Sequence, residues 1–175
     1  VNYPVANCFF DAADGGRGSA PSSRRPFRIG FFAHATYENK RKGVDVLPRL
    51  ARELATRGVD ACFVLSGLGW QDTLAHPAFE GFPCVWRAFP SYFDMPREYA
   101  ALDCYLCLSR IEGGPMTVLE SAATGTPVVS TAVGRVGETF NTDADYWCVE
   151  PDDVTGTADA IECIFRDGGS GVPDR

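Results

Sequence analysis

The chain has 175 residues, 45% hydrophobic and 22% charged, so it holds enough apolar sequence for one ordinary domain, and its composition excludes a disordered or fibrous protein. Sixteen basic and 23 acidic residues give a net charge of −7, which disfavours extended binding to nucleic acid or anionic lipid. No apolar run approaches the roughly 20 residues that cross a bilayer, and the first residues lack a signal-peptide pattern, so we expect a soluble, cytoplasmic protein.

The composition of residues 1–26 predicts an irregular linker, because its second half is crowded with Gly, Ser, Pro and Arg. From Phe27 onward, short apolar runs alternate with segments of helical period. That alternation predicts one α/β domain over residues 27–167. Residues 168–175 are expected to form a frayed tail.

Six apolar runs have the length and composition of strands that are covered on both faces of a parallel sheet. These predicted strands are Phe27 to Ala33, Ala61 to Ser66, Cys84 to Arg87, Cys104 to Leu108, Val128 to Thr131 and Trp147 to Val149. The expected fold class is therefore α/β, a doubly wound, Rossmann-like parallel sheet of about six strands.

Three helices are predicted from apolar periodicity and from residues that start or stop helices. Val44 to Leu54 repeats apolar residues at three- and four-residue intervals before a stop at Gly58. A second helix should begin near Pro115 and end at Gly125. A third should cover Asp153 to Arg166, with acidic residues first and a basic residue last, as the helix dipole favours.

The seven cysteines are interpreted as reduced thiols, because most of them fall inside the apolar runs, where buried thiols are ordinary. Cys104 and Cys107 form a C-x-x-C. A redox pair needs a strand-to-helix turn and a zinc site needs a second ligand pair, and the sequence provides neither. We therefore expect no metal and no cofactor.

Ligands of doubly wound sheets bind beyond the carboxyl ends of the strands, so the candidate site lies in the loops that follow the strands. The loop after the fourth predicted strand is polar and contains glycine, and it leads into a helix that carries Glu120. Unpaired N–H groups from Gly114 to Thr117 at that helix start favour a phosphate or diphosphate. Glu120 is placed to accept hydrogen bonds from vicinal hydroxyls, whereas Glu112 precedes the helix. Taken alone, each glutamate is better explained as a turn cap or a solvated surface residue.

The two glutamates, their spacing and the residues that follow them are together more specific than either glutamate alone. Glu112, seven intervening residues, Glu120 and the following run from Ser121 to Ser130 resemble the E-x7-E signature and the A-x-G-x-P-V-V run of family 4 glycosyltransferases. These are retaining enzymes of the GT-B architecture, and the resemblance extends over roughly Phe27 to Val149. It implies that Glu112 contacts the donor sugar and that Glu120 binds the ribose of the nucleotide. It also places a set of backbone groups on the diphosphate and the distal sugar: Gly113, Gly114, Pro115, Met116 and Thr117.

The loop between the first strand and the first helix ends in three consecutive cations, residues 40–42, followed by Gly43. Such a run in an acidic protein predicts a nearby anion, although alone it is better explained as a solvated loop. In the family that this chain resembles, a G-R pair and a K-G pair hold the diphosphate here. Lys42 and Gly43 match the K-G pair, whereas Ala33–His34 stands in place of the G-R pair. We expect Lys42 and Glu112 to be the catalytic residues, with His34, Lys40 or Arg41 supplying the second positive charge for the diphosphate.

Two further loops are candidates for the nucleobase, where members of the family use backbone groups. They are Gly67 to Trp70 after the second predicted strand and the loop from Arg87 to Pro90 after the third. Either Trp70 or Phe89 stacks on the base, or these aromatic rings pack on the domain surface. Gly134 to Glu138 resembles the family's following glycine-containing loop.

The resemblance implies a glycosyltransferase donor-binding domain, a single GT-B half that binds a nucleotide-diphosphate sugar such as a UDP or GDP sugar, for retaining, hexosyl-type transfer. We expect the acceptor to be held by an N-terminal domain outside this chain, the chain alone to be inactive, and any peripheral membrane association to occur only through that other domain. Asp143 and Asp145 form a D-x-D, the pattern with which another glycosyltransferase architecture binds a divalent metal. The surrounding sequence does not fit that architecture, so we expect no metal there.

Two alternatives stay open. One is a non-catalytic nucleotide-sugar binding or interaction module of the same fold, which the missing arginine of the G-R pair favours. The other is a GT-B epimerase or phosphorylase, which the spacing of Glu112 and Glu120 disfavours.

Overall fold

A computed structural model describes residues 5–14, 25–36, 40–87, 91–134, 136 and 146–167. Within them lie six strands: β1 Phe27–Phe32, β2 Ala61–Ser66, β3 Cys84–Arg87, β4 Cys104–Cys107, β5 Val128–Thr131 and β6 Tyr146–Val149. All of them pair in parallel, in one sheet of order β3-β2-β1-β4-β5-β6. The predicted doubly wound sheet is confirmed, and each strand ends within one residue of its predicted bounds.

Helices in the described ranges connect or flank the strands: α1 Asn7–Asp14, α2 Leu47–Thr56, α3 Trp70–Leu74, α4 Met95–Ala100, α5 Met116–Ala123 and α6 Val154–Arg166. Short 3-10 helices span Lys40–Lys42, Val44–Val46 and Pro77–Phe79. In the described ranges, no helix is both long and apolar enough to span a bilayer.

The predicted helix ends follow from their local chemistry. Pro115 caps α5 with an extended backbone, and Asp153 caps α6 by accepting a hydrogen bond from the Gly156 amide at 2.9 Å. The predicted helix from Val44 begins instead as a 3-10 turn, and its α-helical part starts at Leu47, with a proline in the first turn.

Helices cover both faces of the sheet. On one face, α2 and α6 pack a cluster that includes the fully buried Leu50, Leu54 and Ile161. On the other, α1, α4 and α5 pack a smaller cluster around Tyr99 and Tyr105. Each fully buried leucine or isoleucine contributes about 2 kcal/mol through area removed from water. The two clusters explain why the strands read as continuous apolar runs.

Strand order reverses between β1 and β4, because β1 pairs with β2 on one side and with β4 on the other. The loops after β1 and β4 leave the sheet in different directions, and their divergence opens a crevice at the carboxyl edge. This is where the fold places a site.

The irregular linker predicted for residues 1–26 is wrong for Asn7–Asp14, which form α1. The cause is Phe9, which is fully buried, with its ring centroid 5.6 Å from that of Tyr92 and 6.1 Å from that of Tyr99. Tertiary packing of this one ring outweighs the weak helical pattern of the segment. Residues 1–4, residues 15–24 and the predicted tail at 168–175 lie outside the described residues.

Replacing Phe9 tests whether α1 is part of the domain. Phe9→Ala should lower the free energy of unfolding by about 3 kcal/mol, because it leaves a cavity beside Tyr92 and Tyr99. Phe10 is 54% exposed on the same helix, and Phe10→Ala should cost less than about 0.5 kcal/mol. Urea denaturation followed by circular dichroism measures both variants, and equal losses would contradict the docking of α1.

Candidate functional site

The crevice between the ends of β1 and β4 holds a cavity of about 180 Å³. Its walls are the strand ends, the loop after β1, the loop after β4 and the start of α5. The residues that line it are 31–33, Lys42, 105–109, Glu112 and 114–117. The structure therefore brings Lys42, Glu112 and the start of α5 together, as expected for a shared site.

Lys42 and Glu112 form an ion pair across the crevice, with the Lys42 Nζ against Glu112 Oε1. The same carboxylate oxygen lies 3.5 Å from Arg41 Nη1 and accepts a hydrogen bond from Ser109 Oγ at 3.2 Å. The Lys42 side chain is 27% exposed and that of Glu112 is 13% exposed, so water screens their attraction less than at an open surface. The side chains of Lys42 and Arg41 thus face the same carboxylate oxygen.

Gly43 lets the chain that carries Lys42 pass directly against the end of β4. Its φ is +73°, and a Cβ there would lie 2.3 Å from the Leu108 carbonyl oxygen. An L side chain is disfavoured on both counts. The glycine therefore places Lys42, its predecessor, at the mouth of the crevice.

The start of α5 presents backbone donors to the same cavity. Pro115 caps the helix without a side-chain hydrogen bond. Within the described part of the chain, the amides of Gly114, Met116 and Thr117 donate to no protein acceptor. Three N–H groups at a helix N-terminus form a site that favours an anion. Gly113 lies just outside the cavity lining, beneath Gly134, whose Cβ would approach the Gly113 carbonyl to 2.7 Å.

Glu120 is buried rather than solvated, so its interpretation as an exposed surface residue is wrong. The residue is 7% exposed, and the Tyr99 hydroxyl donates to its Oε2 at 3.1 Å. Burial raises the pKa of Glu120, and the Tyr99 hydrogen bond opposes that rise. It lies one turn into α5 from the free amides, behind the cavity lining.

The loops after β1 and β2 are joined by hydrogen bonds that fix His34 and Trp70. His34 is exposed, and its Nδ1 accepts from the Leu68 amide at 3.1 Å. Trp70 is fully buried, and its indole N–H donates to the Ala33 carbonyl at 3.0 Å and to Ser66 at 3.2 Å. Of the two alternatives for Trp70, stacking on a base and packing on the domain surface, neither describes a ring that lies in the core.

The remaining candidates lie away from the crevice or outside the described residues. Arg87, at the end of the edge strand β3, pairs with Glu98 at 3.3 Å and does not line the cavity. Phe89, residues 137–138 and the D-x-D pair at 143–145 lie outside the described residues. Among the residues that are described, no group of three or more His, Cys, Asp or Glu side chains is arranged to hold a metal ion.

Sequence reasoning missed Tyr99 and Arg110. Tyr99 supplies the hydrogen bond to Glu120, and Arg110 makes ion pairs with Asp45 and Asp152 on two other loops. Neither residue stands in a recognisable motif. The only signal was their position, in the helix before β4 and in the loop after it.

A model of the family described as Glycosyl transferases group 1 matches residues 26–167. Over 76 residues, or 42% of this chain, the sequence is 36% identical to the lipopolysaccharide core biosynthesis mannosyltransferase LpsB of Rhizobium meliloti (strain 1021), of which it covers 22%. A solved glycosyltransferase from Rickettsia africae ESF-5 superposes with a TM-score of 0.71 at 20% identity, over 95% of this chain and 48% of that one. The apo form of the lipopolysaccharide outer core galactosyltransferase WaaB gives a TM-score of 0.70 at 17% identity, over 85% of this chain and 43% of WaaB.

The chain thus spans less than half the length of each of these three proteins. The structural likenesses identify its fold as the α/β, Rossmann-like fold of GT-B proteins.

The burial of Glu120 has a measurable consequence for stability. Below the ordinary pKa near 4.5, this carboxyl is protonated in both the folded and the unfolded chain, so its raised pKa does not lower the free energy of unfolding. As the pH rises above that value, the unfolded chain releases a proton that the folded chain still holds, so stability falls. Glu120→Gln should therefore raise the free energy of unfolding at pH 7.5 and have no such effect at pH 4.

Thermal denaturation at the two pH values checks this expectation. Glu80 lies exposed in a turn, and Glu80→Gln is the matched control, expected to show no pH-dependent gain. A stability difference between Glu120→Gln and the natural chain that is the same at both pH values would contradict the burial of the carboxylate.

Proposed function

The chain belongs to the group 1 glycosyl transferases, and from that premise we propose that it binds the nucleotide-diphosphate sugar donor. The observation that carries the proposal is the meeting, in one crevice, of Lys42, Glu112 and the amides of Gly114, Met116 and Thr117, which donate to no acceptor among the described residues. The E-x7-E spacing of Glu112 and Glu120 supports the finer assignment to family 4 enzymes, which retain anomeric configuration.

The crevice suits a diphosphate leaving group. Glycosyl transfer from a nucleotide donor builds negative charge on the diphosphate as the sugar becomes oxocarbenium-like. Lys42 and the amides of Gly114, Met116 and Thr117 direct fixed positive charge at that group, so they stabilise the transition state more than the ground state. We propose that transfer needs no divalent metal, because these groups supply the charge neutralisation.

The Glu112 carboxylate lies where we expect the diphosphate to bind, since it pairs with Lys42 and Arg41. Donor binding exchanges that partner, and the phosphate oxygens take the place of the carboxylate beside Lys42. Glu112 is then released to orient the donor sugar through its hydroxyls. In this proposal the ion pair holds Lys42 in place before the donor arrives.

Glu120 is proposed to bind the ribose. A carboxylate offers about four acceptor positions, and the Tyr99 hydroxyl fills one of them. Vicinal ribose hydroxyls would fill others and offset the free energy that burial of this group costs. Glu120 follows the amides of Met116 and Thr117 by about one turn of α5, so we expect ribose and diphosphate to bind side by side, as in one nucleotide.

The rest of the enzyme is proposed to supply an N-terminal acceptor domain, so that transfer takes place between two domains. A cytoplasmic location is part of the proposal. All seven cysteines are free thiols, which fits a reducing compartment.

A second candidate is a nucleotide-sugar binding module without catalysis. It is favoured by His34, which replaces the arginine of the G-R pair and whose Nδ1 already accepts from the Leu68 amide. This candidate shares the binding site but predicts no transfer by the complete protein, so assays of the longer protein separate the two.

Exchange of charged residues around the crevice tests the diphosphate site. Isothermal titration with UDP, GDP and ADP identifies the preferred nucleotide. Lys42→Gln should weaken its binding by about tenfold or more, through loss of a charge-assisted hydrogen bond. Glu112→Gln should tighten binding by roughly threefold, because a neutral amide competes less for Lys42.

Lys40 lies exposed on the same 3-10 helix, and Lys40→Gln is the matched control, expected to change affinity by less than about twofold. Equal losses in Lys40→Gln and Lys42→Gln would refute a defined diphosphate site. Absence of any nucleotide binding to the natural chain would refute donor binding itself.

The chain by itself should bind donor and transfer no sugar, because the acceptor-binding groups lie elsewhere. A radiolabelled-donor assay with water and with added sugar acceptors measures transfer and donor hydrolysis. Turnover by the isolated chain above that of Lys42→Gln would contradict the proposed separation of donor and acceptor binding.

A further inference from the structure

Arg110 joins three loops at the crevice. Its guanidinium donates to both carboxylate oxygens of Asp45, at 2.8 and 3.1 Å. It also donates to both oxygens of Asp152 and to the Lys40 carbonyl. The Arg110 amide donates to the Arg41 carbonyl at 2.8 Å. One residue thus connects the loops that follow β1, β4 and β6.

Arg110 is not free to bind an anion. Its side chain is 21% exposed and faces two carboxylates, so its charge is already compensated. Its hydrogen bonds to the carbonyls of Lys40 and Arg41 hold the 3-10 helix that carries Lys42. Glu112 follows two residues later on the same loop as Arg110. Both members of the Lys42–Glu112 pair are therefore attached to the backbone that Arg110 fixes.

Asp152 supports the same interpretation independently. Its φ is +67°, and among the described residues it alone adopts a positive φ without being glycine. A side chain at such a φ is strained, and glycine would fit there more easily. The strained conformation brings its carboxylate onto Arg110, and the hydrogen bond from Arg110 lowers the pKa of Asp152.

A similar arginine elsewhere in the fold provides a comparison. Arg57 is 17% exposed and meets Glu53 at 2.9 Å, Glu162 at 3.2 Å and Asp159. Its guanidinium joins α2 and α6 through carboxylates, and Arg57 does not line the crevice. Arg57 matches Arg110 in charge and in burial, but it has three acidic partners where Arg110 has two, and it lies outside the crevice.

We propose that Arg110, held by Asp45 and Asp152, is a positioning residue that sets the separation of Lys42 and Glu112 and thereby the affinity for the second phosphate of a nucleotide diphosphate. This inference rests on the proposed function. Arg110 itself touches no substrate.

The test uses Arg110→Gln and Asp152→Gly, with Arg57→Gln as the matched control. Glycine accepts the φ of residue 152, so Asp152→Gly removes the carboxylate and also relieves strain. The preferred nucleoside diphosphate and the corresponding monophosphate are titrated into each variant. Both crevice variants should bind the diphosphate about tenfold more weakly and the monophosphate within about twofold of the natural chain, whereas Arg57→Gln changes neither affinity.

The inference is overturned if the crevice variants bind the diphosphate as Arg57→Gln does, or if they lose monophosphate affinity equally. If Arg110→Gln fails to give a folded circular dichroism spectrum, Asp152→Gly decides by the same criteria.

A measurement without ligand separates this inference from the proposed function. The amides of Gly43 and Val46 donate to the carbonyls of Lys40 and Gly43. Hydrogen exchange at these amides should accelerate in Arg110→Gln and Asp152→Gly and stay unchanged in Arg57→Gln. If the natural chain binds no nucleotide, the proposed function fails while accelerated exchange still supports the positioning role. Unchanged exchange in both crevice variants overturns that role.

Discussion

The half-buried pairing of Lys42 with Glu112 is the interaction on which the site depends. The two residues come from different loops, and they meet because strand order reverses between β1 and β4. The protein carries a net charge of −7, so its overall field repels anions at long range. Salt screens this repulsion beyond about 10 Å, whereas inside the crevice the nearby cations and helix amides determine the local potential. A negative protein surface around a small positive crevice favours the binding of a compact anionic group over that of a long polyanion.

Close backbone packing gives this pairing its geometry. Gly43 presses against the Leu108 carbonyl, and Gly134 lies over the Gly113 carbonyl. Neither contact leaves space for a Cβ, so each fixes one crevice loop against a neighbouring strand end or loop. The Trp70 indole adds a further connection, because its N–H bonds the carbonyls of Ala33 and Ser66. The side chains at the crevice are therefore attached to backbone segments that pack closely against neighbouring backbone.

The sequence predicts those features that depend on local pattern. The strands read as apolar runs because both faces of the sheet are covered, and α5 begins where Pro115 permits a helix start. It does not predict contacts between distant loops. Arg110 donates hydrogen bonds to Asp45, 65 residues away, and to Asp152, 42 residues away. The periodicity of the sequence predicts neither contact. Trp70 follows two glycines and looks exposed, but the closeness of the loops after β1 and β2 buries it. The helix α1 spans only eight residues, which is too short for a clear periodic signal, and the packing of Phe9 among aromatic rings explains it.

Glu120 links the aromatic cluster around Tyr99 to α5, whose start lines the crevice. A buried carboxylate that accepts one hydrogen bond from Tyr99 destabilises the fold, and packing alone gives no reason to keep it. The Tyr99 ring lies among Phe9, Phe32 and Tyr105, with centroids 5.1 to 6.1 Å away. Removal of water by these rings raises the pKa of Glu120 and also strengthens any hydrogen bond that the carboxylate accepts from a ligand. Proteins keep destabilising groups, such as buried carboxylates, mainly at functional sites. In the proposed function, the hydroxyls of a bound ribose would offset the free energy that burial of this carboxylate costs, which gives a reason for a buried carboxylate one turn into α5.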